Sequence, residues 1–505
     1  ENAAKRTRVL NVKRCVDSSP RYSGLKKTAI IHVGQFDYAS IFRERRLRRA
    51  QFLEWADDPR FANVIAYWDS SDNIVAGDSY LTEVQKIDLS SIRPYPAEKN
   101  AVLIIAEMAG KAAGLMPRQI LRRQIERADE LGYSVKAAFE FEVILLDETA
   151  KTVRDQGFAE LNRFAPENKC WSGTTAATHA ELIAKLEEEI MGYGINLFGI
   201  GVELGPGCLE ITLGAESGIK AADDAAFMRM GVRSWARKNG LTASFMPYLG
   251  PDYPGIGGHI TMSIYDKVSG KNLFSDARGG TNAFAKTFIA GMIDLVPQAF
   301  AMCASSVNAY RRLAPGSWAP KAITWSEYAF TTAVRSVPSA GETARLEFRS
   351  PPADCNPYLT MALMLGSGLD GLERKLAEPP VASTAGPDDI PEGAERLPRD
   401  LYEAAEVDGA GPLRKFINIT LPQITAILSI LFMIRFIWNF NKFEDIFLLT
   451  GGASGTRTLP INVYQQGFAV SNIGMGSAVS IVIVMLLIIF MIIYFKLIGK
   501  RANEI

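Results

Sequence analysis

The sequence has few of the features that would assign it at once to a simple class of protein. Its five cysteines are scattered through 505 residues without a Cys-x-x-Cys pair, which excludes a disulfide scaffold or a zinc knuckle and indicates a reducing compartment. It has no net charge, with 55 basic and 55 acidic residues, so the basic excess typical of nucleic-acid-binding proteins is missing and we expect no nucleic-acid partner. At this length the chain has room for about three domains.

Long apolar runs are missing before about residue 420. Residues 1–29 are basic and contain no apolar core of a secretory signal, so they are a solvated arm or a remnant of expression or processing. Residues 30–378 have the pattern of a soluble α/β protein. Residues 379–400 are dense in proline, glycine and acidic residues and predict a linker. The predicted helices include Arg118–Leu131, Ala180–Tyr193, Asp223–Lys238 and Ala283–Ala304.

Residues 401–505 differ in composition and contain two candidate membrane helices. Residues 478–495 are apolar apart from Ser480 and are followed by basic residues; at about 1.5 Å per residue they span about 27 Å, close to the thickness of a bilayer core. Residues 424–440 are a second candidate, interrupted near one end by Arg435, whose long side chain can reach the interface. The basic C-terminal flank predicts that both ends of this tail lie in the cytoplasm.

Four short segments predicted as strands place charged or metal-competent side chains on one face and apolar side chains on the other. Any one of them alone is more often a solvated sheet face. If the four faces converge, their carboxylates crowd one cavity, which like-charge repulsion forbids unless cations are present. Carboxylate oxygens with a single imidazole suit Mg²⁺ or Mn²⁺ better than Zn²⁺. The polar members are Glu140, Glu142, Glu203, Glu210, His259, Thr261, Ser263, Arg345, Glu347 and Arg349.

Arginines form a second group of candidate site residues. Arg312 lies beside a Pro-Gly loop, and Arg335, Arg345 and Arg349 follow on the predicted strands. A guanidinium group binds carboxylate and phosphate oxygens in a bidentate fork, although any one of these arginines alone is more often part of a surface ion pair. Carboxylate-held divalent cations facing arginines are typical of enzymes that transfer a phosphoryl group from a nucleotide.

With these motifs in order, residues from about 30 to 400 resemble the glutamine synthetase family. The resemblance implies an α+β fold, with an N-terminal β-grasp domain over residues 30–115 and a catalytic α/β domain over residues 116–378. The matching motifs are E-x-E at Glu140 and Glu142, Glu203 to Glu210 around Gly205-Pro206-Gly207, the loop from Gly255 through Gly257 and His259 to Ser263, Asn308 to Gly316, R-x-E-x-R at Arg345, Glu347 and Arg349, and Asn356-Pro357-Tyr358.

The resemblance also implies roles for these residues and a two-step reaction. The γ-carboxylate of glutamate attacks ATP to give γ-glutamyl phosphate, and an amine or ammonia then displaces phosphate. Two or more Mg²⁺ or Mn²⁺ ions and ATP are the expected cofactors, and the family implies a homo-oligomer. The implied assignments are Glu142, Glu203 and Glu210 for one ion; Glu140, His259 and Glu347 for the other; Arg312 and Arg349, with Glu142, Gly255 and His259, for the substrate; and Arg335, Arg345 and Ser263 for ATP.

Three departures from the family pattern are visible. Ala329-Phe330 stands where the family usually has Asn-Arg, so one phosphate-facing arginine is missing. Trp318 replaces a glutamate that ammonia-using members carry before an Ala-Pro pair, a change that resembles γ-glutamyl-amine ligases. Thr261 stands where a second histidine is common. The missing arginine predicts low or absent turnover, whereas the indole predicts an organic amine as acceptor.

The tail resembles a different family, the sugar-type permeases of ATP-binding-cassette importers. Glu403-Ala404-Ala405, Asp408 to Gly411, Leu421-Pro422 and the run from Phe447 to Gly452 match its cytoplasmic EAA loop and the segment after the next helix. In that family the loop docks on an ATPase subunit, so the bilayer and such an ATPase are the expected partners. A permease needs more helices than two, so the tail cannot form a pathway alone.

The leading hypothesis is therefore a cytoplasmic glutamate–amine ligase held at the cytoplasmic membrane by a permease-like tail. Two alternatives stay open: a transport subunit fragment carrying an inactive synthetase-like module, and a chimeric join of two genes. The run from Leu397 to Ala405 resembles both families at once. Recombination or misassembly between two genes within a shared stretch would produce such a run.

Overall fold

The computed structural model describes residues 29–74, 80–313, 317–379 and 435–502, with a few isolated positions between 390 and 433. These residues form two compact units, one within residues 1–399 and one within residues 400–505, which are described separately. The predicted arm, most of the predicted linker and most of the candidate helix at 424–440 lie outside the described residues.

The first unit begins with a mixed five-stranded sheet. Its order is β2-β1-β5-β4-β3, with β1 and β5 parallel and the other pairs antiparallel. The apolar run of β5 is buried over its whole length, as expected of the central strand of a covered sheet. The strands are β1 (Ile30–Phe36), β2 (Phe42–Arg48), β3 (Arg60–Ala62), β4 (Thr82–Pro94) and β5 (Ala101–Met108).

A second, nine-stranded sheet forms the larger part of this unit. Its order is β12-β13-β14-β11-β6-β8-β7, with β9 and β10 also paired to β6. Along β6, buried Phe139, Phe141 and Val143 alternate with half-buried Glu140 and Glu142, so the strand has one apolar and one polar face. The strands are β6 (Tyr133–Leu146), β7 (Leu197–Val202), β8 (Cys208–Leu213), β9 (Glu216–Ser217), β10 (Thr242–Ser244), β11 (Gly258–Asp266), β12 (Trp325–Glu327), β13 (Val334–Val337) and β14 (Arg345–Phe348).

Helices cover the apolar face of this sheet and complete the α+β fold that the resemblance implied. The four predicted helices are present, but the fourth ends at Ala299, shortly after Pro297, which lacks the N–H that a helix requires. The helices are α1 (Arg49–Trp55), α2 (Pro117–Glu130), α3 (Ala150–Asp155), α4 (Gly173–Thr178), α5 (Ala180–Gly192), α6 (Lys220–Lys238), α7 (Ala283–Ala299), α8 (Val307–Arg311) and α9 (Pro357–Arg374).

The Asn-Pro-Tyr motif begins α9 and ties it to the first sheet. The Asn356 side chain accepts hydrogen bonds from the backbone N–H groups of Tyr358 and Leu359, and Pro357 occupies the first turn, where no N–H is needed. The Asn356 amide also donates to the carbonyls of Asp37 and Tyr38, at 3.1 and 3.0 Å. One side chain therefore caps the helix and anchors the loop after β1.

The second unit contains helices α10 (Glu444–Thr450), α11 (Leu459–Tyr464) and α12 (Ile473–Ala502). The predicted span 478–495 lies within α12, and over Ile473–Ile492 its mean hydropathy is 2.8 with only 11% of the segment buried. Phe436 stacks on Phe490 with 3.7 Å between ring centroids. Among the described residues α12 is the one candidate membrane helix, so the predicted two-helix tail is not confirmed.

A buried arginine connects the first sheet of the first unit to helices α2 and α6. Arg118, on α2 and only 3% exposed, donates hydrogen bonds to Asp88 on β4, Glu107 on β5 and Asp223 on α6. The hydroxyl of Tyr358 on α9 also donates to Asp223, at 2.8 Å. A buried charge is tolerated only when it is paired and hydrogen-bonded in this way.

Replacing Arg118 with Met should therefore destabilise the first unit by about 3–5 kcal/mol, because buried Glu107 and Asp223 and partly buried Asp88 each lose an ion-pair partner. Arg123→Met is the matched control, since exposed Arg123 on the same helix donates to the carbonyl of Gly114. The measurement is denaturant unfolding of both variants in the same detergent. Equal midpoints for Arg118→Met and Arg123→Met would contradict this role.

Candidate active site

Strand register brings acidic residues from three strands to one face of the nine-stranded sheet. His259 on β11 lies opposite Glu140 on β6, and Glu142 on β6 lies opposite Glu210 on β8. On the other side of β11, β14 carries Glu347, which is 1% exposed. The polar faces of these strands converge, as the sequence pattern required for a cation site.

Two overlapping groups of possible metal ligands result. Ligand atoms of Glu140, His259 and Glu347 all lie within 4.8 Å of one another, and so do those of Glu142, Glu210 and His259. The first group is the set that the resemblance implied for one ion. The second group contains His259 instead of the expected Glu203, so the His259 imidazole belongs to both groups.

Glu203, which follows β7, has its carboxylate held by three donors. Its Oε1 accepts from the Cys170 thiol at 3.0 Å and from the backbone N–H of Leu204 at 2.9 Å, and its Oε2 accepts from the indole N–H of Trp171 at 3.0 Å. Trp171 is 78% exposed and has a left-handed backbone with φ of 55°. No motif in the sequence indicated this contact, since Trp171 lies in an irregular loop far upstream.

Burial and mutual repulsion make the charged forms of these carboxyl groups costly. Burial raises the pKa of Glu140 to about 7, and the charges of Glu347 and Glu210 add to the rise. Burial also raises the pKa of Glu142 to about 7, although the positive charge of Arg312 opposes it. The pKa of Glu210 is likewise raised to about 7, by burial and then by the charge of Glu142. A positive charge among them would relieve this repulsion.

Two arginines on the sheet are paired with Glu347. Arg335 on β13 donates from Nη1 to Oε2 of Glu347 at 2.8 Å, and Arg349, just after β14, donates to Oε1. Arg345, on the same strand as Glu347, donates to the carbonyl of Thr343 at 3.1 Å. Ser263 on β11, implied for ATP, instead donates its hydroxyl to the carbonyl of Ala344 at 2.8 Å.

Arg312, which follows α8, lies next to His259 and is 4% exposed. It donates to the carbonyls of Ser350 at 2.9 Å and Arg349 at 3.3 Å, and burial lowers its pKa to about 10. Gly255 permits this position, since a Cβ there would lie 2.7 Å from Cγ of Arg312. A buried guanidinium bonded to neutral carbonyls attracts an anion.

His259 is a neutral imidazole at neutral pH. Its pKa is lowered well below the ordinary value by burial first and then by the charges of Arg349 and Arg312. Its Nδ1 lies 3.7 Å from Oε1 of Glu347, and its Nε2 lies 3.5 Å from Nη2 of Arg312. A neutral ring presents a nitrogen lone pair, which a metal ligand needs.

Fold and site together define an α+β enzyme whose polar sheet face combines a carboxylate cluster with arginines. Residues 114–409 match the glutamine synthetase catalytic domain. The chain belongs to the glutamine synthetase family, which confirms the resemblance seen in the sequence.

Individual relatives agree with this assignment. The chain is similar to a glutamate–isopropylamine ligase from a Pseudomonas species, with 33% identity over 75% of this chain and 85% of that protein. It is also similar to the γ-glutamylputrescine synthetase PuuA of Escherichia coli K12, with 30% identity over 58% of this chain and 62% of that one. A solved GmaS/ADP complex has a TM-score of 0.64 at 24% identity, covering 76% of this chain and 88% of that one, and supports the fold.

The tail has a separate match. Residues 391–504 match the inner membrane component of binding-protein-dependent transport systems, so the predicted permease resemblance is confirmed as well. The two matches overlap over residues 391–409, which contain the run from Leu397 to Ala405 that resembled both families.

Proposed function

We propose that the chain is an ATP-dependent ligase that joins the γ-carboxylate of glutamate to an amine through γ-glutamyl phosphate. The observation that carries the proposal is the convergence of Glu140, Glu142, Glu210, His259 and Glu347 on one sheet face beside arginines. Family membership supports the same reaction class.

The reaction has two displacement steps. A γ-carboxylate oxygen of glutamate attacks the terminal phosphorus of ATP, and the bond from that phosphorus to the bridging oxygen breaks as ADP leaves. The nitrogen of the neutral amine then attacks the γ-carbonyl carbon, phosphate leaves with the former carboxylate oxygen, and the amine loses one proton to water. Arg312 and Arg349 bind glutamate and its activated γ-glutamyl phosphate group, while Arg335 and Arg345 bind the phosphates of ATP.

The residues present suit divalent cations. The donors are carboxylate oxygens and one imidazole, a set that suits Mg²⁺ or Mn²⁺, and the ligand atoms of each group lie within 4.8 Å of one another. Glu140, His259 and Glu347 would hold one ion, and Glu142 and Glu210, with Glu203 beside them, the other. When bound, such ions neutralise charge on the transferring phosphoryl group. Ligation by Glu347 competes with its ion pairs to Arg335 and Arg349.

Glu347→Gln should reduce the number of bound Mn²⁺ ions by one and abolish metal-dependent ATP binding, because it removes a charged ligand and leaves two arginines unpaired beside the site. Glu216→Gln is the matched control, since Glu216 lies on the same sheet and pairs with Lys220. Calorimetric titration of both variants measures the stoichiometry. Unchanged Mn²⁺ and ATP binding in Glu347→Gln would refute the ligand assignment.

We assign an organic amine as the acceptor. The relatives include proteins named for isopropylamine and putrescine, and Trp318, which is 61% exposed, offers an apolar wall where ammonia-using members carry a glutamate. An indole cannot accept the proton of an ammonium ion, so the site favours an amine that binds through its alkyl group.

Phosphate release with glutamate, ATP and a panel of amines should therefore be faster with small alkylamines than with ammonium at the same concentration of neutral amine. Trp318→Glu should shift this preference toward ammonia, by about tenfold or more, because it adds a charge and removes the apolar wall. Equal rates with ammonia in the unaltered chain would contradict the assignment.

A second candidate function is a transport permease fragment with an inactive synthetase-like module. The match of residues 391–504 favours it, and so does Phe330 in the place of an arginine. If no acceptor gives phosphate release, this candidate is supported. The intact mass of the natural gene product would show whether both parts share one chain or are a chimeric join. In the ligase hypothesis, the tail anchors a homo-oligomeric cytoplasmic enzyme to the membrane, and an ATPase subunit is its second expected partner.

Membrane attachment through α12 predicts that the full chain floats with membranes in a sucrose gradient after alkaline extraction. The 30-residue helix is long enough to cross a bilayer, and Ile481, Val484 and Ile489 are each more than half exposed. A variant with Met485→Asp and Ile489→Asp should be released, since each central aspartate costs about 2.5–3.5 kcal/mol on insertion. Release of the unaltered chain would contradict attachment.

A further inference from the structure

The loop of residues 328–333, here called the Phe330 loop, links β12 to β13, the strand that carries Arg335. It carries the phenyl ring that stands where the family resemblance places an arginine. The ring is 51% exposed, so core packing does not account for an apolar side chain at this position.

The Phe330 ring contacts two arginines of the site. The guanidinium carbon of Arg335 lies 4.1 Å from the ring centroid, and that of Arg349 lies 5.2 Å from it. Both distances are within the range of cation–π attraction, which arises because the ring faces carry partial negative charge. One neutral ring therefore contacts both of the positively charged groups that pair with Glu347.

Backbone carbonyls of the same loop hold these arginines as well. Nε of Arg349 donates to the carbonyl of Phe330 at 2.8 Å, and Nε of Arg335 donates to the carbonyl of Tyr328 at 3.2 Å. Each guanidinium thus receives a ring contact and a carbonyl from the loop, in addition to its ion pair with Glu347.

The loop is built to keep this geometry. Tyr328 has a left-handed backbone with φ of 61°, a conformation that costs energy for a bulky residue and persists only where surrounding contacts impose it. Its N–H donates to the carbonyl of Ser336 at 2.9 Å, and its hydroxyl donates to that of Pro338 at 3.2 Å. Within the loop, the Thr332 hydroxyl donates a hydrogen bond to the carbonyl of Ala329 at 3.2 Å.

We infer that Phe330 is a positioning residue, which holds Arg335 and Arg349 ready for the oxygens of a phosphoryl group and thereby offsets the missing arginine. The inference rests on the proposed function. When Glu347 engages a cation, its ion pairs weaken, and the ring and the two carbonyls are the contacts that keep both guanidinium groups in place. A third guanidinium at this position would add charge but also repulsion.

The experiment is a calorimetric titration of the full chain in detergent with inorganic pyrophosphate in the presence of Mg²⁺. Phe330→Leu keeps apolar bulk without a ring face, and Phe330→Tyr keeps the ring. Phe330→Leu should weaken pyrophosphate affinity about tenfold, equivalent to about 1.4 kcal/mol, and Phe330→Tyr should stay within about twofold of the original affinity. Phe158→Ala, which removes another exposed phenyl ring, should change nothing.

Two outcomes would overturn the inference: original affinity in Phe330→Leu, or equal losses in Phe330→Leu and Phe330→Tyr. Absence of pyrophosphate binding to the unaltered chain would overturn it too, since the arginines would then form no oxyanion site. Melting temperatures check that each variant folds. If Phe330→Leu alone weakens pyrophosphate binding but the unaltered chain shows no ligase turnover, the proposed function is refuted and the positioning role is not. If the unaltered chain turns over but Phe330→Leu binds pyrophosphate with the original affinity, the positioning role is refuted and the proposed function is not.

Discussion

Repulsion among carboxylates is the constraint on which the rest of this structure depends. Glu140, Glu142 and Glu210 are each raised to a pKa of about 7 by burial and, to differing degrees, by neighbouring charges, and Glu347 lies among them almost fully buried. Such a cluster persists in a folded protein only when positive charge offsets it. In the described residues that charge comes from Arg312, Arg335 and Arg349, and in the ligase hypothesis divalent cations take over part of it. The arginines and carboxylates of this cluster thus stabilise the fold when no ligand is bound, and in the ligase hypothesis they bind the cations and substrates.

The register of the nine-stranded sheet brings the residues of this cluster together. Because β6 pairs with both β8 and β11, its two glutamates each face a partner, Glu210 on one side and His259 on the other. A slip of one residue in either pairing would turn these side chains to the apolar face. The buried Arg118 network connects the first sheet to α2 and α6, which pack against β6. The Phe330 loop then sets the arginines opposite the acids.

Part of this site could be predicted from the sequence. Alternation along one strand places Glu140 and Glu142 on one face, and ordered motifs point to the family. Pairing partners cannot be predicted in this way, since the meeting of Glu347 with His259 depends on which strands are neighbours. The contact of Trp171 with Glu203 and the contacts of Phe330 with two arginines arise in irregular loops, where no periodicity constrains the chain. In the tail, composition predicted α12, whereas Arg435 weakened the signal for the other candidate span.

Transfer of an oxygen atom tests the central claim most directly. Glutamate labelled with ¹⁸O in its γ-carboxylate is incubated with the full chain, ATP, Mg²⁺ and an alkylamine, and the released phosphate is analysed by mass spectrometry. The account predicts one ¹⁸O atom in each phosphate and one amide formed per phosphate, because the attacking carboxylate oxygen leaves with the phosphoryl group. Unlabelled phosphate would show that water, and not glutamate, attacks ATP, and would contradict the γ-glutamyl phosphate route.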